Sequence, residues 1–126
     1  MMRSTRLVLG VILWALAVTA SAHSALLRAE PGSRAVLTES PRLIRLWFNE
    51  PVEAAFSTVT LETAKGKKLP GLTKPKIAQD DAKQLIVELP ALDPGTYKVR
   101  YRVLSVDGHI VDWGYSFRLE PAPAKP

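Results

Sequence analysis

The chain has no cysteine in its 126 residues. Disulfides therefore contribute nothing to its stability, and one apolar core must suffice. The same absence excludes thiolate metal sites, catalytic cysteines and dithiol redox pairs. Methionine is nearly as scarce. The only two, Met1 and Met2, open the sequence, so nothing after them offers a sulfur ligand. Histidine occurs only at His23 and His109. Long apolar runs are missing apart from Leu7 to Val18, 12 residues that are too short for a permanent bilayer-spanning helix. No stretch after that run keeps a helical period.

What is present begins with a basic segment, Met1-Met2-Arg3-Ser4-Thr5-Arg6, followed by the apolar run and the small residues Ala20-Ser21-Ala22. This is the order of a secretory signal peptide with an A-x-A cleavage site. The alternative is an uncleaved N-terminal anchor, which leaves the small residues before His23 unexplained. Cleavage after Ala22 divides the chain into a signal at 1–22, a single domain at 23–119 and a Pro/Ala-rich tail at 120–126. It removes Arg3 and Arg6 and no acid, so the formal charge of +5 falls by two. Apart from Lys65-Gly66-Lys67-Lys68, the remaining basic residues are scattered, which suits a solvated surface and not a nucleic-acid interface. No membrane span is expected once the signal is removed.

The domain reads as short strands separated by turns. Residues 23–30 form a strand stopped at Pro31-Gly32. Leu43–Phe48 follows, with Ile44, Leu46 and Phe48 on one face, then Ser57–Glu62, with Val59 and Leu61 inward. Ala64 to Lys76, rich in Gly, Pro and Lys, reads as loop, and Gln84–Leu89 as another strand. After Asp93-Pro94-Gly95, the row Tyr97, Val99, Tyr101, Val103 alternates with Lys98, Arg100 and Arg102. That is a half-buried strand with one wet face. Trp113, Tyr115, Phe117 and Leu119 alternate in a last strand and are assigned, with the other stripes, to core. The pattern predicts an all-β sandwich or barrel without internal repeat.

Cleavage after Ala22 makes His23 the first residue, with a free α-amine. The amine and the ring Nδ1 then close one chelate ring on a metal. Asp107 and His109 are separated by Gly108, and side chains at i and i+2 of an extended segment project to the same side. Amine, two imidazoles and a carboxylate form a nitrogen-oxygen set suited to the tetragonal plane of copper(II). Separately the signals are weak, since Asp-Gly is a common turn dipeptide and a lone surface histidine usually does nothing. Their joint occurrence in a chain with two histidines points to one metal site at His23, Asp107 and His109. Glu50 and Asp112 could stand behind the ligands as acceptors, although a charged strand end before Pro51 accounts for Glu50 as well. Arg102 and Trp113 flank the loop and could shield it. Copper must displace protons from an amine (pKa roughly 8) and imidazoles (roughly 6.5), so binding is expected to weaken from neutral pH towards about 5.

Residues 23–119 resemble the CopC family of periplasmic copper-resistance and copper-binding proteins. The resemblance is carried by His23 after A-x-A, Leu46-Trp47-Phe48-Asn49-Glu50, Gly95–Val103, Ser105-Val106-Asp107-Gly108-His109 and Gly114-Tyr115-Ser116-Phe117. It implies an immunoglobulin- or cupredoxin-like Greek-key β-sandwich. It also implies copper(II) bound by the amine and ring of His23 with Asp107 and His109, and delivery to a CopD-type inner-membrane transporter. The chain departs from many relatives in two ways. The stretch Leu61–Leu69 holds no methionine where they carry a methionine-rich copper(I) loop, and Ile110 follows His109 where they have proline. Two other functions stay open on the residues alone. One is a copper-dependent oxidative enzyme with a histidine-brace-like site, which needs an open coordination position that Asp107 would fill. The other is an immunoglobulin-like interaction domain without metal. No nucleophile–base constellation supports a hydrolase.

Overall fold

The computed structural model describes residues 25–123. The expected signal at 1–22, His23 and the end of the expected tail lie outside the described residues. Eight strands follow one another: β1 (Leu26–Glu30), β2 (Val36–Leu37), β3 (Leu43–Phe48), β4 (Val52–Thr63), β5 (Lys76–Ala78), β6 (Asp81–Glu88), β7 (Gly95–Ser105) and β8 (Ile110–Leu119). They form two four-stranded sheets, ordered β1-β3-β6-β5 and β2-β8-β7-β4. All pairs are antiparallel except β2 with β8. This is an all-β sandwich, one of the two architectures that the alternation allows and the one that the family resemblance implies. Among the described residues no helix is long and apolar enough to cross a membrane.

The inward rows meet between the sheets. Ile44, Leu46, Phe48, Leu85 and Val87 come from one sheet, and Leu61, Val99, Val103 and Phe117 from the other. Phe48 meets Tyr101 edge to face with centroids 6.0 Å apart, and Tyr97 stacks on Phe117 at 5.7 Å. Aromatic pairs in such arrangements add to the apolar area they bury. The Tyr97 hydroxyl donates to the Asp93 carbonyl. Burial pushes its pKa up, as does the nearby Asp93 charge.

Three details differ from the pattern-based reading. β4 begins five residues before Ser57, because a bulge between Glu53 and Thr58 lets the strand bend without losing its pairing to β7. β2 and β5 are too short to show a period, and β5 takes Lys76 out of the expected loop as an edge strand beside β6. Trp113 does not join the core. Phe117 and Leu119 of its row are buried, whereas Trp113 is 73% exposed. β2 covers the β8 edge only at Arg118 and Leu119. Further along, β8 faces β1 across an open groove of about 770 Å³ whose walls include Leu27, Trp113 and Tyr115.

Candidate metal centre

Strands β7 and β8 stay in register up to Leu104 opposite Ile110, and Ser105 to His109 close the hairpin. Ser105 N–H donates to the His109 carbonyl at 2.8 Å, and Gly108 N–H to the Ser105 carbonyl at 3.0 Å. Gly108 has φ +91°, a left-handed conformation that side chains rarely adopt, which explains glycine between the two candidate ligands. A Cβ there would meet nothing within 4 Å, so the requirement is backbone conformation alone.

The turn brings Asp107 and His109 together. The ring Nδ1 of His109 lies 3.0 Å from Asp107 Oδ2, with both side chains about half exposed. Asp107 Oδ1 accepts the Ser105 hydroxyl proton and lies 3.3 Å from the His109 N–H. The hydrogen bond from Ser105, and then that from His109, lower the Asp107 pKa to about 2, against the small opposing effect of desolvation. The carboxylate is thus ionised at any pH near neutral. With Nδ1 donating to it, the carboxylate fixes the ring, and Nε2 is the nitrogen that this tautomer would offer to a metal.

The start of the described chain reaches the same end of the sandwich. Leu26 pairs with Phe48, so Ala25 sits beside the β3–β4 turn. Asn49 grips Ala25 twice: the Ala25 N–H donates to Asn49 Oδ1 at 2.7 Å, and Asn49 N–H to the Ala25 carbonyl at 3.0 Å. The same turn holds the hairpin, since Val106 N–H donates to the Pro51 carbonyl at 2.9 Å. Ala25, Asn49, Pro51 and Val106 thereby link the start of the described residues to the β7–β8 hairpin. His23 is two residues before Ala25, a reach of at most ~7 Å.

Glu50 lies in the linking turn and is half-buried, while Asp112 is exposed and pairs in register with Arg102. Asn49 and Ser105 stand in the motifs that carry the resemblance, but sequence reasoning gave neither a role. Asn49 reads as a plain strand stop, but Ser105 carries a signal. It ends the inward row Tyr97, Val99, Tyr101, Val103, where an apolar residue belongs.

A family model, the CopC domain, matches residues 26–120. The chain belongs to the CopC family. It is 39% identical over 121 residues to Protein YobA of Escherichia coli (strain K12), covering 94% of this chain and 96% of that protein. Among solved structures it resembles CopC from Methylosinus trichosporium OB3b, with TM-score 0.75, 35% identity, and coverage of 82% of this chain and all of that one. It also resembles PcoC, a methionine-rich copper resistance protein from Escherichia coli, with TM-score 0.68, 25% identity, and coverage of 79% and 100%. The matched span includes Asp107 and His109 and begins three residues after His23.

Proposed function

We propose that this CopC-family chain is a periplasmic copper(II)-binding protein that buffers copper or hands it on, and is not an enzyme. Its copper site consists of the α-amine and ring of His23, exposed by cleavage after Ala22, with His109 and Asp107. The observation that carries the reading is the hydrogen-bonded link from Ala25 through Asn49 and Pro51 to Val106. That link brings the N-terminal end of the domain to the loop that presents Asp107 and His109 on one side. Among the described residues no third His, Asp or Glu joins that pair as a possible metal group. His23 is the other histidine of the chain. The copper named in the description of PcoC supports the same metal here. We further propose that the protein is exported by the signal at residues 1–22 and delivers copper to a CopD-type inner-membrane transporter.

A second reading of Asp107 is favoured by its contact with His109 Nδ1 at 3.0 Å. In it the carboxylate orients the ring and does not itself bind copper. Asp107→Asn separates the two. Loss of a direct oxygen donor shifts the electron paramagnetic resonance parameters of bound copper(II), whereas loss of an orienting group lowers affinity and leaves them near those of the wild type.

The site is tested by titrating copper(II) into the natively processed protein and into a form with one extra residue ahead of His23. The extension removes the amine chelate and keeps both imidazoles, so affinity should fall severely and the spectrum change. Equal affinity in the two forms would remove His23 from the site.

A further inference from the structure

Ser105 is 1% exposed, so its hydroxyl is out of water and must find its partners within the protein. It finds them all in the hairpin turn. The Ser105 Oγ donates to Asp107 Oδ1, lies 3.1 Å from the His109 carbonyl, and accepts the His109 N–H at 3.1 Å. A serine hydroxyl has one proton. The carboxylate is charged and is the nearer acceptor, so it takes that proton, and an Oγ lone pair serves the His109 N–H. One buried oxygen thus fixes both Asp107 and the backbone of His109.

We infer that Ser105 is a positioning residue for the metal centre: its buried hydroxyl holds the Asp107 carboxylate against His109 Nδ1, which fixes the orientation and tautomer of the imidazole before metal arrives. The part of this inference that concerns metal rests on the copper site proposed above. The turn does not need the hydroxyl to close, because the backbone bonds between Ser105 and His109, and between Gly108 and Ser105, do that. Removing the hydroxyl therefore loosens the two side chains and leaves the hairpin formed. A ring that is already oriented has less freedom to lose when it binds, and groups standing behind a metal ligand typically alter affinity about 10–100-fold.

The test uses the natively processed protein and its Ser105→Ala, Ser105→Thr and Ser105→Val variants. Long-range nitrogen–proton NMR correlations of the metal-free proteins report the His109 tautomer, and competition titrations report copper(II) affinity. Wild type and Ser105→Thr should hold His109 in the Nδ1–H form. Ser105→Ala should give a tautomer mixture and bind copper(II) about 10–100-fold more weakly. Thr and Val have the same shape and differ in the hydroxyl, so they decide the matter if the alanine variant fails to fold. Val should behave as Ala does. The inference is overturned if Ala keeps both the tautomer and the affinity, or if Thr and Val behave alike. If His109→Ala binds copper as wild type does, the copper site itself is wrong, and the tautomer measurement still decides what Ser105 does.

Discussion

At the scale of single residues, Asp107 has the clearest electrostatic signature. Its hydrogen bonds to Ser105 and His109 favour the ionised form and depress the pKa from 3.8 to about 2. A carboxylate with a lowered folded-state pKa contributes stability that is fully present above its unfolded value and is lost as pH falls through the folded one. The order that Asp107 gives the hairpin should therefore persist down to about pH 4 and disappear between there and about pH 2. The amide resonances of Gly108 and His109 in the metal-free protein should move across that window. In Asp107→Asn they should stay flat there, and a wild-type transition centred well above pH 4 would contradict the assignment. It follows that any weakening of copper binding between neutral pH and about 5 does not come from Asp107. On the proposed site it would come from protons competing for the nitrogen donors.

At the scale of elements, the β7–β8 hairpin that presents the site depends on a close approach at Gly114. This residue pairs with Arg100, and a Cβ added to it would lie 2.8 Å from the Val99 carbonyl oxygen. That contact is with backbone, which cannot swing aside as a flexible side chain can. Gly114→Ala should therefore push the strands apart and cost about 1–3 kcal/mol of stability, as other overpacked sites do. Chemical denaturation of the metal-free protein measures this. A variant as stable as wild type would mean that the two strands can separate without loss.

At the scale of the whole molecule, the proposed site would join the start of β1 to the last hairpin, with Asn49 as the clamp on the chain start. Its Oδ1 holds the Ala25 N–H at 2.7 Å. Asn49→Ala gives up that bond and loosens the hold on Ala25. Ordering one residue's backbone costs about 1–2 kcal/mol, so copper(II) affinity should fall by about tenfold with the fold intact. Titration with a competing chelator reads the change, and an unaltered affinity would show that Asn49 does not couple the chain start to the loop. Composition decides the oxidation state in the same way, across the whole chain. Both methionines, Met1 and Met2, lie within the proposed signal and there is no cysteine, whereas copper(I) favours thioether and thiolate ligands. The processed protein should hold copper(II) tightly and release copper(I) to a chelator under anaerobic, reducing conditions. Equal retention of both states would require a second site.

The sequence alone determined what local period can encode. Ile44, Leu46 and Phe48, and the row from Tyr97 to Val103, alternate because each strand buries one face, and both reach the core as read. Asp107 and His109 meet because they are two apart around a glycine, again a local fact. The two-residue β2 and three-residue β5 left no period to read, since their existence depends on the strand beside them. Trp113 has the right spacing for core and the wrong neighbours, because β1 and β8 leave a groove open there. Only the tertiary structure decided that Ala25 lies beside the β3–β4 turn and that this turn grips Val106. The physical reason is the order of strands within two packed sheets. That order is set by which buried faces fit together, and it brings side by side segments that are some 80 positions apart in the chain.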